Sequence, residues 1–249
     1  MNVSTTGSVV ERESLPLFQP IVDAQTHCLV GCALVLAGPS FTPEDQDSPK
    51  EIELQVWLDA LRCLQAWRNQ GNDLSLLVPV SETQLHSPTF IAQLMCLLEQ
   101  LQLPASCIEL EISERVAMGD AGFMVACLTE LRKCGFAIVI DKLGSGYSTV
   151  SQWLDTPSTG IRIDEALTRR AQGKGGAALI EAILKIASVR GLRTIAAGVQ
   201  DANAAAVLTL LGVHRLQGDY FGSVMDCHAF TQRLRGDCAI DAQSATLPG

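Results

Sequence analysis

Carboxylates at the ends of two short β-branched runs are the residues of this chain best suited to chemistry. Ile108-Glu-Leu-Glu-Ile-Ser-Glu114 and Ala137-Ile-Val-Ile-Asp-Lys-Leu-Gly-Ser-Gly146 each read as a strand that ends in acids before a helical pattern. Side chains alternate along a strand, so Glu109 and Glu111 share one face while Ile108, Leu110 and Ile112 take the other. Glu111 and Asp141 together offer the oxygen ligands that a hard divalent cation such as Mg²⁺ takes. The same two acids equally suit a polar interior in which they pair with lysine or arginine. Lys142 favours this second chemistry, because an ammonium beside Asp141 neutralises acids without metal, although strand alternation offers the alternative that Lys142 points away.

Other groups carry weaker signals. Gly144-Ser-Gly146 after a strand would let backbone amides approach a phosphate, but a single Gly-x-Gly more often marks a tight turn. The four histidines (27, 86, 214 and 228) lack ligand spacing and read as surface groups. The nine cysteines include no Cys-x-x-Cys, and most lie in apolar surroundings where a thiol acts as a small hydrophobe, so a reduced, cytoplasmic protein is expected. A net charge of -9 with scattered Lys and Arg argues against nucleic-acid and membrane binding. The apolar helix near Ala177-Ala187 carries Glu181 and Lys185 and is too short and too charged to span a bilayer. Met1 to Ser14 lacks the basic and apolar regions of a secretory signal.

The elements that must position Glu111 and Asp141 follow from patterning. With 249 residues and a mean hydropathy of +0.22, the chain fits one α/β barrel better than two small domains. Leu15-Val22 and Cys28-Ala37 read as a hairpin, so the first strand runs antiparallel. After a loop at Gly38-Pro49 and a helix over Glu51-Gln70, strand and helix patterns alternate to the end, including a short helix near Ser148-Leu154. Such alternation predicts right-handed βαβ units and closure of eight strands into a barrel, with active residues at the carboxyl ends of the parallel strands. The expected organisation is a disordered segment over 1–14, one barrel domain over 15–238 and a flexible tail over 239–249.

Six segments then carry a resemblance. Leu17-Phe-Gln-Pro-Ile-Val-Asp23, Glu109-Leu-Glu-Ile-Ser-Glu114, Asp141-Lys-Leu-Gly-Ser-Gly-Tyr147, Ile161-Arg-Ile-Asp164, Ala196-Ala-Gly-Val-Gln200 and Leu216-Gln-Gly-Asp-Tyr-Phe221 resemble, in order and spacing, the segments of EAL domains. The resemblance implies a TIM-like (β/α)8 barrel with an antiparallel first strand. It also implies cyclic di-GMP phosphodiesterase chemistry, in which two divalent cations held by carboxylates and an asparagine activate a water.

Carried over by position, the metal shell is eroded. The Glu-Ala-Leu signature falls on Ala33-Leu34-Val35, placing Ala33 at the first metal-binding glutamate, and the asparagine ligand falls on Pro79. Glu111 and Asp141 match as remnants, but the second aspartate of the Asp-Asp pair is Lys142. The catalytic lysine becomes Arg162, whose fixed charge and different fork do not serve the same proton transfer. Ala197 and Gln200 replace the two glutamates of Ala-Glu-Gly-Val-Glu. No catalytic residue set, metal or cofactor is therefore expected. If the nucleotide still binds, Gln19, Glu111, Asp141, Arg162 and Gln217 are the residues to hold it. Ala37 and Val224, standing where the family usually has an arginine and a proline, weaken that pocket.

The expected function is a degenerate EAL barrel that regulates or scaffolds by binding another protein. The alternatives are a receptor that binds cyclic di-GMP without cleaving it and a residual phosphodiesterase. Many EAL domains dimerise through the segment after the Asp-Asp motif, and Leu143-Thr149 keeps much of it, so a homodimer is compatible with the sequence.

Overall fold

The alternating runs Leu17–Asp23 and Leu29–Val35 form an antiparallel hairpin, β1 and β2, and every later strand of the barrel is wound parallel to β2. The computed structural model describes residues 16–35, 50–143 and 155–244, with side chains over 16–35, 54–120, 122–141 and 155–236. The expectations for the N-terminal segment, the loop at Gly38-Pro49 with Ala37, Gly144-Ser-Gly146 and the helix near Ser148-Leu154 lie outside the described residues, as does the side chain of Lys142.

The hairpin turn is set by Asp23, whose Oδ1 accepts from the backbone N–H groups of Gln25 and Thr26 and from the Thr26 hydroxyl. These bonds, that from the Thr26 backbone foremost, hold the Asp23 carboxyl below the usual aspartate range. His27 takes the positive φ of 57° that brings the chain back.

After α1 (Lys50–Asn69) the chain runs β3 (Ser75–Pro79), α2 (Glu82–Leu85), α3 (Phe90–Gln100), β4 (Ile108–Ser113), α4 (Glu114–Ala117), α5 (Ala121–Lys133) and β5 (Ala137–Leu143). It continues with β6 (Gly160–Ile163), α6 (Glu165–Thr168), α7 (Lys174–Val189), β7 (Arg193–Ala196), α8 (Ala202–Leu211), β8 (Arg215–Gln217), β9 (Met225–Asp226) and α9 (Cys227–Ser244). Strands β2 to β8 are neighbours in chain order, and β1 closes the ring by pairing antiparallel with both β8 and β2. The architecture is the TIM-like barrel with an inverted first strand that the resemblance implies.

The helices bury the faces that their periodicity marks. On α1, Trp57, Ala60, Leu61, Leu64 and Trp67 recur at helical spacing and are all buried. Each large apolar side chain so buried contributes roughly 1.5–3 kcal/mol relative to exposure. Met124, Leu128 and Leu131 of α5 and Ile180, Ile183 and Ala187 of α7 repeat the pattern.

Four differences from the sequence reading have physical causes. Single turns α2, α4 and α6 start directly at strand ends because Ser81, Ser113 and Asp164 cap them with side-chain oxygens that accept backbone N–H bonds. A ninth strand, β9, pairs with β1 at Leu17 and Phe18, where a connection had been expected. Helix α9 runs to Ser244, so the tail expected from 239 is helical as far as 244; Cys238-Ala-Ile-Asp-Ala-Gln243 contains no Gly or Pro to stop it. The reduced-thiol expectation fails at Cys63 and Cys227, which form a disulfide because α1 and α9 lie side by side although 164 residues apart in sequence.

The barrel interior is layered. Ile21, Ala33, Leu77, Val139 and Ile195 make an apolar tier. Nearer the N-terminal ends of the parallel strands, Arg215 donates to Glu109 at 2.6 Å; nearer their C-terminal ends lies a larger polar group. Inward-facing side chains from successive strands fill such a barrel, so it is a packed core and not a pore.

Candidate functional site at the barrel mouth

Period-two alternation brings Glu111 of β4, Asp141 of β5, Arg162 of β6, Gln217 of β8 and Gln19 of β1 to the inside of the barrel's C-terminal end. Arg162 is the centre of the group. Its Nη1 donates to Glu111 Oε1 at 2.8 Å and to Asp141 Oδ1 at 2.9 Å, and its Nε donates to Gln217 Oε1 at 3.1 Å. Gln217 Nε2 donates onward to Gln19 Oε1 at 2.8 Å, and Gln19 Nε2 to Asp219 Oδ1 at 3.2 Å. One hydrogen-bonded chain thus crosses the mouth from β4 to the loop after β8.

These charges are largely removed from water: the Glu111, Asp141 and Arg162 side chains are 12%, 13% and 20% exposed. Burial pushes the Glu111 carboxyl up to about 7; the Arg162 charge opposes that rise and the neighbouring Asp141 reinforces it. For Arg162, burial alone would lower the guanidinium's pKa, but the two carboxylates outweigh it and hold it raised, so the group stays charged.

A cleft of about 210 Å³ opens above the chain, lined in part by Gln19, Asp141, Arg162, Ala197, Gln200 and Asp219. Its floor depends on glycine. Gly218 has φ 155°, and a Cβ there would collide with the backbone of Val199, which Gln217 and Tyr220 bond on either side. Gly198, at φ 71°, leaves room that a Cβ would take from the Glu165 side chain.

Of the positions singled out in the sequence, Gln19, Glu111, Asp141, Arg162 and Gln217 are joined in the hydrogen-bonded chain, and Ala197 and Gln200 line the cleft. Ala33 belongs to the apolar tier, and Pro79 pairs with Glu111 across β3 and β4. Val224 is exposed. Arg162 supplies a counter-cation to both acids, while the side chain of Lys142, the cation expected there, lies outside the described residues. The acids Asp164, Glu165 and Asp219 escaped sequence reasoning, although Asp219 lies inside the recognised segment Leu216-Phe221 and Asp164 closes another. The Glu109–Arg215 pair was also missed; period two puts Arg215 on the face of Gln217, and that signal was available.

At the positions that the resemblance assigns to the metal shell, Ala33, Pro79 and Ala197 have no side-chain oxygen, and Glu111 and Asp141 each accept from the Arg162 guanidinium. Among the described residues, no group of three His, Cys, Asp or Glu side chains is arranged to hold a metal ion.

Comparison with known proteins agrees with the fold. The chain is 26% identical over 215 residues to the cyclic di-GMP phosphodiesterase PA2567 of Pseudomonas aeruginosa, covering 81% of this chain and 37% of that protein. It is 29% identical over 188 residues to the cyclic di-GMP phosphodiesterase PdeR of Escherichia coli K12, covering 74% and 28%. The chain therefore spans about a third of the length of the curated relatives it matches. The solved structure of the PaMucR phosphodiesterase in complex with c-di-GMP superposes with a TM-score of 0.80 at 26% identity, covering 88% of this chain and 94% of that one. Residues 6–223 match the EAL domain model, and the chain belongs to the EAL domain family.

Proposed function

We propose that this EAL barrel performs no phosphodiester hydrolysis and acts in bacterial signalling as a regulatory or scaffolding module that binds another protein. The observation that carries the reading is the Arg162 guanidinium bonded to both Glu111 and Asp141, the two acids that remain from the family's metal shell. A fixed organic cation there competes directly with divalent metal for the same lone pairs. The missing donors at Ala33, Pro79 and Ala197 support the same conclusion.

The cleft also argues against a dianionic nucleotide. Its volume is below the roughly 300–1,000 Å³ of small-molecule pockets. Among the described residues of its lining, Asp141, Asp164, Glu165 and Asp219 stand against the single cation Arg162, with Glu165 in turn bonded to Arg169. Exposed apolar side chains at the other end of the barrel support the protein-binding reading. There Val189 and Leu210, 86% and 87% exposed, sit at the C-terminal ends of the adjacent helices α7 and α8. Cytoplasmic placement and homodimer formation belong to the same proposal. Among the described residues, no helix is long and apolar enough to cross a membrane.

One observation favours a second reading, a receptor for intact cyclic di-GMP: Gln19 and Arg162 line one cleft, and buried Gln217 bonds to both. Calorimetric titration of cyclic di-GMP with Mg²⁺ and then Ca²⁺ present, followed by chromatography of the recovered nucleotide, separates the readings. The expected result is no heat and intact nucleotide, which directs the search to a protein partner by co-purification. Saturable heat with intact nucleotide would establish the receptor, and cleaved nucleotide would restore the phosphodiesterase.

A further inference from the structure

The Cys63–Cys227 disulfide lies away from the mouth, and nothing in the site's chemistry uses it. Cys63 is on α1 and Cys227 is the first residue of α9, with Cα atoms 6.4 Å apart, inside the range of a disulfide. Both residues are half-buried, outside the fully enclosed core.

The surroundings link this bond to the barrel. One helical turn beyond Cys63, Trp67 packs against Phe18 of β1 and Phe230 of α9, with ring centroids 5.0 and 4.5 Å away. Trp67 Nε1 donates to Thr231 Oγ1 at 2.8 Å, and that hydroxyl donates to the Cys227 carbonyl at 2.7 Å. Immediately before Cys227, β9 pairs with β1 at Leu17 and Phe18. The next residue, Gln19, belongs to the hydrogen-bonded chain at the mouth.

We propose that Cys63 and Cys227 form a reversible thiol–disulfide clasp, which sets how firmly the β9–α9 corner holds β1 and thereby the mouth. In the oxidising direction the two thiols react with a disulfide of the glutathione class. One thiolate attacks it, displacing one glutathione thiolate, and the second thiolate then displaces the other. The new S–S bond leaves two reduced glutathione molecules, which take up the two protons and two electrons. Reduction is the reverse exchange.

Selectivity follows from placement. Burial pushes the Cys32, Cys107 and Cys127 thiols up, keeping them protonated and unreactive. Exposed Cys28 and Cys96 lie on the hairpin turn and on α3, away from this pair. In a reducing compartment, cysteine pairs that do oxidise are usually transient or redox-sensing, not permanent staples.

The test equilibrates the purified full chain in buffers of graded reduced-to-oxidised glutathione ratio. Free thiols are then alkylated and the peptides identified by mass spectrometry, with thermal unfolding and hydrogen exchange read on the same samples. The expected result is a Cys63–Cys227 linked peptide that appears and disappears reversibly across the series. The reduced form should melt roughly 5–15 °C lower and exchange several-fold faster at residues 17–19 and 225–226. Cys63→Ser and Cys227→Ser proteins should match the reduced form at every ratio. A pair that stays linked in excess reduced glutathione, stays free in excess oxidised glutathione, or changes state without altering exchange in β1 and β9 would overturn the proposal. Should the serine variants not fold, the wild-type titration decides it alone.

Discussion

A single guanidinium decides what the mouth of this barrel can do. Arg162 pairs with Glu111 and Asp141 and donates to Gln217 Oε1, so its removal leaves two buried acids facing each other and an amide oxygen without that donor. Breaking a buried ion pair from one side typically costs about 3–5 kcal/mol, most of it from the charges left behind. Arg162→Ala should therefore lower stability by about that amount in urea unfolding, and adding Glu111→Gln and Asp141→Asn should recover much of the loss. Glu111 also imposes a pH dependence. Its folded-state pKa, pushed up to about 7 from 4.5, means that the native state holds the proton more tightly than the unfolded chain. The stabilisation is complete below the unfolded value and is lost as pH rises through about 7. Urea midpoints measured on either side of that window should fall with rising pH, and Glu111→Gln should flatten the change.

Among the helices, α9 packs on β1, whose pairings with β2, β8 and β9 are all antiparallel. Phe230 is fully buried against Trp67 and Phe18, at the corner where β9 adds two residues of pairing to β1. Truncation of a large aromatic in such a core costs about 3–5 kcal/mol through lost transfer energy and the cavity left behind. Phe230→Ala should lower the unfolding midpoint accordingly while leaving far-UV circular dichroism near native, because the deletion removes packing and no backbone bond. A folded variant as stable as wild type would show that α9 is not needed to hold β1.

For the whole molecule, the family match ends at residue 223, but the packed barrel does not. Helix α9 begins at Cys227 and contributes Phe230 and Leu234 to the core. A chain truncated after residue 223 loses β9, α9 and the disulfide, and uncovers Phe18 and Trp67. It should bind the hydrophobic dye ANS and unfold with a broadened transition; a sharp, native-like transition without dye binding would show that the matched segment folds alone.

Local patterning determined much of this protein. Period-two runs marked the strands, put Glu109 and Glu111 on one face and set Glu111 and Asp141 at strand carboxyl ends. The apolar stripe from Trp57 to Trp67 marked α1, and the polar turn at Asp23 gave the inverted first strand. These features depend on neighbours a few residues apart, which a sequence displays directly. The pairing of Arg162 with Glu111 and Asp141, 51 and 21 residues away, was decided only in three dimensions, as was that of Cys63 with Cys227 across 164. The sequence pointed to Lys142 as the cation for the acids and to Arg162 only as the replacement of a catalytic lysine. Closure of the ring brought β4, β5 and β6 together and put the Arg162 guanidinium within hydrogen-bonding distance of both carboxylates, because side-chain reach across a barrel depends on strand order and stagger and not on spacing along the chain.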